Sequence, residues 1–568
     1  MTQFFINNKE QLVNEAIEGA VLTSPWQNLE QLDIDPHIRI VVRRDWDKSK
    51  VAIISGGGSG HEPAHVGFVG KNMLTAAVCG DVFASPSVDA VFNAIVQVTG
   101  EAGCLLIVKN YTGDRLNFGL AAEKAKRLGY QVEMVMVSDD IALPDNKQPR
   151  GVAGTLFVHK IAGYAAEQGQ SLSAVAEAAQ VAIQRTASIG VALSSCHLPG
   201  ETHSERVAPG HAELGLGIHG EPGVSVLATQ NSRDILAMMI EKLLSAYPLT
   251  GDDKVAVLVN NLGGVSNLEM SLLTRDLCHS SLAPSIQYLV GPAPLMTALD
   301  MKGFSISLLH LDAQLEAALL APTEVSSWPT PLAVNDVARR AVEKQADQLH
   351  YQASEHAEHQ MIVNCICQTL INHESELNRL DSLVGDGDTG STFAAGARQI
   401  YRESQANQLP FAQVDKLLGV VGERLATVMG GSSGVLLSIF FTAAGQQMSE
   451  GQPLASALVA GLNKMKQYGG AELGDRTMID ALQPALEALV AGQSLTEAAS
   501  AAEQGSASTA LMNKANAGRS SYLASDSLSG VKDPGAVAVE SVFAALTKLN
   551  PEGSPHNFPK AQPYLNRF

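Results

Sequence analysis

No run in the sequence approaches the roughly 18 apolar residues that a membrane-spanning helix needs, although its apolar content is an ordinary 45%. The amino terminus, Met1-Thr2-Gln3-Phe4-Phe5-Ile6-Asn7-Asn8-Lys9-Glu10, places no basic stretch ahead of an apolar one, so a secretory signal is not expected. Basic residues are outnumbered: 39 Lys and Arg against 58 Asp and Glu give a formal net charge of −19. That balance argues against a polyanion as the main partner, because nucleic acids are held by neutralising their phosphates. The six cysteines are scattered. Only Cys365 and Cys367 are close, in a helix-like run where residues two apart do not face one another, so all six read as reduced cytoplasmic thiols.

Familiar nucleotide motifs are missing as well. There is no Walker loop, and the Gly-rich-loop and His-Arg-Asp signatures of protein kinases are absent. Two stretches fit Gly-x-Gly-x-x-Gly, and both fail on context. Gly385 to Gly390 puts two aspartates where a pyrophosphate would approach, and Gly215 to Gly220 runs into Glu221-Pro222-Gly223, which cannot open a helix.

What is present is an acidic, glycine-rich segment, Leu380-Asp381-Ser382-Leu383-Val384-Gly385-Asp386-Gly387-Asp388-Thr389-Gly390-Ser391. Asp386 and Asp388 alternate with glycines, so an extended or turning backbone points them the same way, and Asp381 folds back from a preceding helix end. Unit charges about 4 Å apart repel by roughly 4 kcal/mol at an effective dielectric of 20, so the cluster calls for a divalent ion. Mg²⁺ fits better than Ca²⁺: an EF-hand loop starting at Asp386 needs Gly sixth and Glu twelfth, whereas Gly390 is fifth and Ala397 twelfth. A bare acidic surface turn is the alternative.

From residue 1 to 322 short apolar, β-branched runs alternate with helical stretches, an α/β pattern. Strands are expected at Val51–Ile54, Cys104–Val108, Val132–Val137, Val255–Val259 and Ile306–Leu309, several ending in turn residues. A long gap between the third and fourth divides this region into two lobes near residue 190. Residues 323–335, Pro- and Ser-rich, read as a linker. From 336 to 568 strand signals stop, and about eight Ala- and Leu-rich helices are expected in an all-α domain.

Four junctions between those helices share a chemistry. Besides Asp386, Gly387, Asp388, Thr389 and Ser391 there are Gly430-Gly431-Ser432-Ser433, then Gly474-Asp475-Arg476-Thr477-Met478 with Asp475 expected as a cap, and Asp533-Pro534-Gly535. Each could simply cap a helix; together they could offer N–H groups and positive dipole ends to a triphosphate held by the metal.

In the front half, Gly56-Gly57-Gly58-Ser59-Gly60-His61-Glu62-Pro63 follows a strand, Lys109 and Asp114 flank a second post-strand turn, and His219 sits among glycines. From spacing alone His61 is an acid/base or a turn residue, and His219 is an accessible loop imidazole. Together with the segments at Asp381–Ser391, Gly430–Gly434 and Gly474–Asp480, these stretches resemble the dihydroxyacetone kinases, in the order of the single-chain, ATP-dependent form. The resemblance covers nearly the whole chain.

It implies a two-lobed α/β substrate domain followed by an all-α antiparallel helix-barrel nucleotide domain. The ketone would be held as a hemiaminal on His219, with His61 and Asp114 assisting acid/base steps and Gly58, Ser59, Gly60 and Lys109 positioning the substrate. Asp381, Asp386 and Asp388 would hold Mg²⁺ on ATP, and a cytoplasmic homodimer is expected, with glyceraldehyde as a further substrate. A neutral imidazole adds to a ketone but not to glycerol, so covalent capture selects by reaction as well as by shape. Three alternatives stay open: a kinase of a four-carbon ketose such as erythrulose, a lyase that cleaves FAD to cyclic riboflavin phosphate, and a non-catalytic sensor, against which the fusion of both domains weighs.

Overall fold

The computed structural model describes residues 4–143, 147–200, 207–221, 223–228, 231–342, 351–516, 528 and 530–549. Pro222 of the His219 motif and the carboxy-terminal stretch expected to complete the helical domain lie outside them. The chain divides into two compact units, residues 1–339 and 340–568.

The first unit alternates two sheets with three layers of helices. The first sheet contains β1 (Leu29–Gln31), β2 (Arg39–Arg43), β3 (Ala52–Ser59), β4 (Ala76–Val82), β5 (Cys104–Lys109) and β6 (Val132–Val137), in the order β1-β2-β4-β3-β5-β6. Four consecutive strands of that order, β4, β3, β5 and the edge strand β6, are parallel. Side chains alternate along a strand, so Ala52 and Ile54 of β3 pack under α2 (Val88–Val98) and α3 (Thr112–Arg127), while Val51 and Ile53 face the central layer. That layer holds α4 (Thr155–Glu167), α5 (Leu172–Gln184) and α8 (Ala313–Leu320), and α1 (Leu12–Leu22) adds Val13 and Ile17 to its core.

Beyond it lies the second sheet, of β7 (Thr186–Ala192), β8 (His211–Leu214), β9 (Ser225–Ala228), β10 (Val255–Asn261), β11 (Ile286–Pro294), β12 (Gly303–His310) and β13 (Leu332–Ala333). Only β10 and β11 pair in parallel; every other neighbouring pair is antiparallel. The helices α6 (Ser232–Ala246) and α7 (Asn267–Leu277) cover its outer face.

All five expected strands are present, but two do not stop where turn residues were expected. β3 runs on through Gly56, Gly57 and Gly58, and β10 includes Asn260 and Asn261. A strand so rich in glycine survives because its neighbours leave no room for side chains: a Cβ on Gly56 would overlap the Val78 carbonyl, and one on Gly58 would stand 2.7 Å from the Ala84 nitrogen. β7, the first strand of the second sheet, straddles residue 190. The segment 323–335, read as a linker, is held against the first unit, with Val325 buried, Ser327 N–H donating to Gly67 and Leu332–Ala333 paired with β11.

In the second unit nine helices lie among the described residues: α9 (Ala357–Asn372), α10 (Glu374–Val384), α11 (Thr389–Gln405), α12 (Val414–Val428), α13 (Gly431–Ser449), α14 (Leu454–Gly469), α15 (Ile479–Val490), α16 (Leu495–Thr509) and α17 (Pro534–Leu546). α9, α11, α12, α13, α14, α15, α16 and α17 pack in a closed ring, α17 returning to α9, with α10 against α11 and α17. From α11 to α16 the connections are short and make successive helices antiparallel. Their ends follow local chemistry: Gly470 ends α14 in the left-handed conformation, Ser494 and Glu497 form a capping box on α16, and Asp533 caps α17 with Pro534 at its first position.

Candidate active site

Two clusters of polar side chains stand out, one in each unit. In the first unit the cluster gathers at the carboxyl ends of β3 and β5, where ligand groups are expected in a parallel sheet. Gly60, at φ +98°, turns the chain out of β3 and delivers His61 to the interior, fully buried. His61 Nδ1 donates to the Thr297 carbonyl at 2.8 Å, and its ring stacks on Phe83. His219 meets it from the β8–β9 connection, with the two Nε2 atoms 3.1 Å apart. The edge of Tyr111 packs against His219, ring centres 4.6 Å apart.

Glu221 fixes the His219 ring. Its carboxylate accepts from the His219 backbone N–H at 3.0 Å and from Nδ1 at 3.0 Å. Burial works to raise the Glu221 pKa, yet the hydrogen bonds and charge of His219 hold it down at about 2. An ionised carboxylate at Nδ1 puts the proton there and leaves Nε2 with a free lone pair. His61, donating from Nδ1, likewise turns a lone pair towards the same point. Burial first, then His219 and Lys109, push the His61 pKa well below its usual value. The two Nε2 atoms are 3.1 Å apart, so an electrophilic carbon entering there meets a ring nitrogen on either side.

Lys109, at the end of β5, is buried and donates from Nζ to the Gly56 carbonyl at 3.1 Å and to His65 Nε2 at 2.6 Å. Asp114, in the first turn of α3, is buried and accepts a short hydrogen bond from Ser85. A Cβ on Gly57 would stand 2.7 Å from Lys109 Nζ and 3.6 Å from Asp114 Oδ2, so cation and carboxylate flank one point that only glycine leaves open. Ser59 is engaged elsewhere, donating to the Gly80 carbonyl at 2.8 Å. Gly58 and Gly60 lie against Ala84 and the Phe83 ring.

In the second unit the acidic segment forms the break between α10 and α11. One oxygen each from Asp381, Asp386 and Asp388 lie within 4.8 Å of one another. Asp381 is buried and accepts from the N–H groups of Asp388 and Thr389 at 2.9 and 3.1 Å, which fixes the turn; Asp386 and Asp388 are exposed. Gly387, at φ +81°, makes the reversal possible. Three oxygen donors with open space on one side suit a hard cation that keeps part of its water shell.

The neighbouring junctions add donors. α13 begins at Gly431 without any side-chain cap, leaving first-turn N–H groups unclaimed, whereas Asp381 and Asn378 take first-turn N–H groups of α11 and the Thr477 hydroxyl takes that of Ile479 at the start of α15. A Cβ placed on Gly430, Gly431 or Gly474 would meet nothing within 4 Å, so those backbones are open to a ligand. Arg476 is fully buried at φ +62°; Nη2 donates to the Val531 carbonyl at 2.7 Å, while Nε and Nη1 have no partner. Buried guanidinium donors are rarely left so, and an anion would satisfy them. Burial raises the Asp533 pKa to about 6 against the pull of Arg476, and Asp480 and Asp381 are within its electrostatic reach. The first, third and fourth junctions thus share one end of the ring. Met429, beside the second, is buried in the core that also takes in Leu377 of α10 and Ala538 of α17.

One expectation is corrected. Asp475 does not cap the following helix, because α15 starts only at Ile479; Asp475 accepts instead from Glu472 N–H and Asn516 Nδ2. The turn is organised by Asp480, whose two oxygens accept from Gly474 and Thr477 N–H at 2.6 and 2.8 Å. Ser391 is tied to Asn378 by its N–H and hydroxyl, and Gly535 lies against Met478. Asp480 and Glu221 were missed as organisers although both stand inside the quoted motifs. Thr297, Phe83 and Asn378 carried no local signal.

The comparisons agree in both halves. Residues 21–327 match the Dak1 domain model and residues 383–548 the DAK2 domain model. Over 96% of this chain and 99% of the relative, the sequence is 59% identical to a dihydroxyacetone kinase of Citrobacter freundii. It is 38% identical to the human triokinase/FMN cyclase over 96% of this chain and 98% of that protein. The crystal structure of the C. freundii dihydroxyacetone kinase with AMP-PNP and Mg²⁺ superposes with a TM-score of 0.70 at 57% identity, covering 96% of this chain and all of that one.

Proposed function

Since this chain belongs to the dihydroxyacetone kinase family, with a Dak1 domain followed by a DAK2 domain, we infer that it transfers the γ-phosphoryl group of Mg-ATP to dihydroxyacetone. The observation that carries this reading is His219, its Nδ1 held by Glu221 and its Nε2 turned to the buried His61. Such an imidazole is prepared to add to a ketone. In that step the Nε2–carbon bond forms, the carbonyl π bond opens and its oxygen takes a proton from water, while His219 Nδ1 gives its own proton to the Glu221 carboxylate, so the alkylated ring ends neutral. Asp114, in this reading, takes the proton of the hydroxyl that is phosphorylated, and Lys109 balances its charge. Gly58, Ser59 and Gly60 shape the pocket by their close packing.

In the helical unit Asp381, Asp386 and Asp388 fit a Mg²⁺ ion, which when bound neutralises charge on the transferring phosphate. The phosphates of ATP would be received by the uncapped helix start at Gly430–Gly431 and the turn at Asp388–Thr389, with Ser391, Ser432, Ser433, Gly474, Thr477 and Met478 around them. Arg476 would satisfy its two unpaired donors on the same anion, and the Asp533-Pro534-Gly535 turn closes the site. Phosphoryl transfer asks for alignment and charge neutralisation rather than covalent work by the protein.

Glyceraldehyde as a second acceptor, a homodimer and a cytoplasmic location complete the proposal. No helix of the described residues is long and apolar enough to cross a membrane, and none of the six cysteines is joined in a disulfide. The test is ADP release from Mg-ATP with dihydroxyacetone, erythrulose and glycerol in parallel: turnover is expected with dihydroxyacetone well above the other two. Release only with erythrulose would move the substrate to four carbons. The relative named triokinase/FMN cyclase gives a second reading, cyclising cleavage of FAD, which FAD with Mn²⁺ and no ATP would reveal.

A further inference from the structure

We propose that Phe83 is the wall that sets the length of ketone this site accepts, holding it to three carbons. The inference rests on the kinase reading above and names what limits its substrate.

Phe83 stands where an aromatic residue is disfavoured. It is the third residue of the turn at 81–84, closed by Ala84 N–H donating to the Asp81 carbonyl at 3.0 Å, and its φ of +58° lies in the left-handed region that glycine or asparagine fills more readily. Among the described residues seven non-glycines have positive φ, and the two apolar ones are Phe83 and Leu299. Both pack at Gly60, where an added Cβ would come within 2.8 Å of the Phe83 ring and 3.5 Å of Leu299 Cδ2. The turn is anchored from outside the site: Phe83 N–H donates to the Ser59 carbonyl at 2.9 Å, and Asp81 pairs with buried Arg39 at 2.8 Å. A strained conformation kept in such a place points to what the side chain does there.

What the ring touches is the ketone site. It stacks on His61, ring centres 5.2 Å apart, and meets His219 edge to face at 5.3 Å, while His61 and His219 are 4.8 Å apart, so the three rings form a nearly equilateral triangle. His219 Nε2 faces His61, so a carbon bonded to Nε2 lies next to the Phe83 ring. Two residues on, the Ser85 hydroxyl donates to Asp114. One turn thus touches both the imidazole that captures the ketone and the carboxylate that takes the hydroxyl proton. A ketone bonded to His219 has two arms. The phosphorylated arm must reach Asp114, and the other must fit against Phe83 and Leu299. Both side chains are half-buried, and both backbones are tied to the glycine strand's end, Leu299 N–H donating to the Gly60 carbonyl at 2.9 Å, so an arm one carbon longer has to displace them.

The test is kcat/KM of the full chain for dihydroxyacetone and for erythrulose, read by ADP release from Mg-ATP in wild type, Phe83→Gly and Phe83→Leu. Glycine suits the left-handed φ, so Phe83→Gly removes the ring and leaves the turn its conformation. The ratio of erythrulose to dihydroxyacetone kcat/KM should rise about 10-fold or more in Phe83→Gly, chiefly through a lower KM for erythrulose, and by less in Phe83→Leu, which keeps apolar bulk. An unchanged ratio would overturn the wall, in Phe83→Leu alone if Phe83→Gly does not fold. Equal loss with both substrates would overturn it too, making Phe83 a support of the imidazole pair. A wild type that turns over neither ketose would sink the kinase reading and the wall with it; a wild type as effective on erythrulose as on dihydroxyacetone would leave a ketose kinase and overturn the wall alone.

Discussion

The two polar clusters are built on opposite principles. The cluster of the first unit is closed and finished: His61, Lys109 and Asp114 are buried, each with a protein partner, and ionised Glu221 has set the tautomer of His219. That of the second unit is unfinished. Asp386 and Asp388 stand exposed beside buried Asp381, α13 starts without a cap, and two donors of Arg476 point at no acceptor. The difference matches what each would receive. A small neutral ketone brings no charge, so its site must supply orientation in advance. A nucleotide with its metal brings both signs of charge and completes a site that is costly to hold without it.

If that contrast is right, damage to the open cluster should stop turnover without touching the closed one. Asp386→Ala is expected to lower ADP release by about 10³-fold, the several kcal/mol of charge stabilisation a metal supplies, while native mass spectrometry still detects the dihydroxyacetone adduct. Retained turnover would show the metal misplaced. The converse variant, His219→Ala, should abolish the adduct and lower kcat/KM for ketones by about 10²-fold, mostly through KM, with Mg²⁺-dependent nucleotide binding intact. An unchanged KM would remove His219 from the mechanism.

Smaller effects probe how the closed site is held. Glu221→Gln should cut adduct formation by about 10-fold, because a neutral amide no longer fixes the Nδ1–H tautomer of His219. Behind Glu221 lie Arg150, Asp140 and Asp139, the last fully buried and accepting from Val152 and Gly154 N–H and from Ser188. Burial raises the Asp139 pKa from 3.8 to about 6. A raised carboxyl binds its proton more tightly in the folded state, so its contribution to stability is full below pH 4 and is lost as pH rises through 6. Wild type should therefore lose about 2 kcal/mol relative to Asp139→Asn between pH 4 and pH 7 in chemical denaturation, and a pH-independent difference would contradict the assignment.

How much could be read from the sequence follows the same division. The acidic cluster lies within eight residues, and the alternation of Asp with Gly states its geometry locally. The closed site is assembled across long separations: His61 meets His219 from 158 residues away, and its ring is oriented by Thr297. Spacing could not find such a pair, and only the family resemblance brought those residues together on one substrate. The alternating α/β pattern and the helical second half were legible because periodicity is local. Strands such as Ala76–Val82, with few β-branched residues, were not, because their place in the sheet is fixed by pairing with β2 and β3. The position of Asp475 misled for a related reason: a cap is recognisable only if the helix start is known, and α15 begins four residues later.

The most direct measurement is a crystal structure of the protein soaked with dihydroxyacetone in the absence of nucleotide. The account predicts continuous density from His219 Nε2 to the former carbonyl carbon, with the new hydroxyl beside His61 and an undisturbed acidic cluster. A ketone lying free of His219, or bound away from the His61–Lys109–Asp114 pocket, would contradict it.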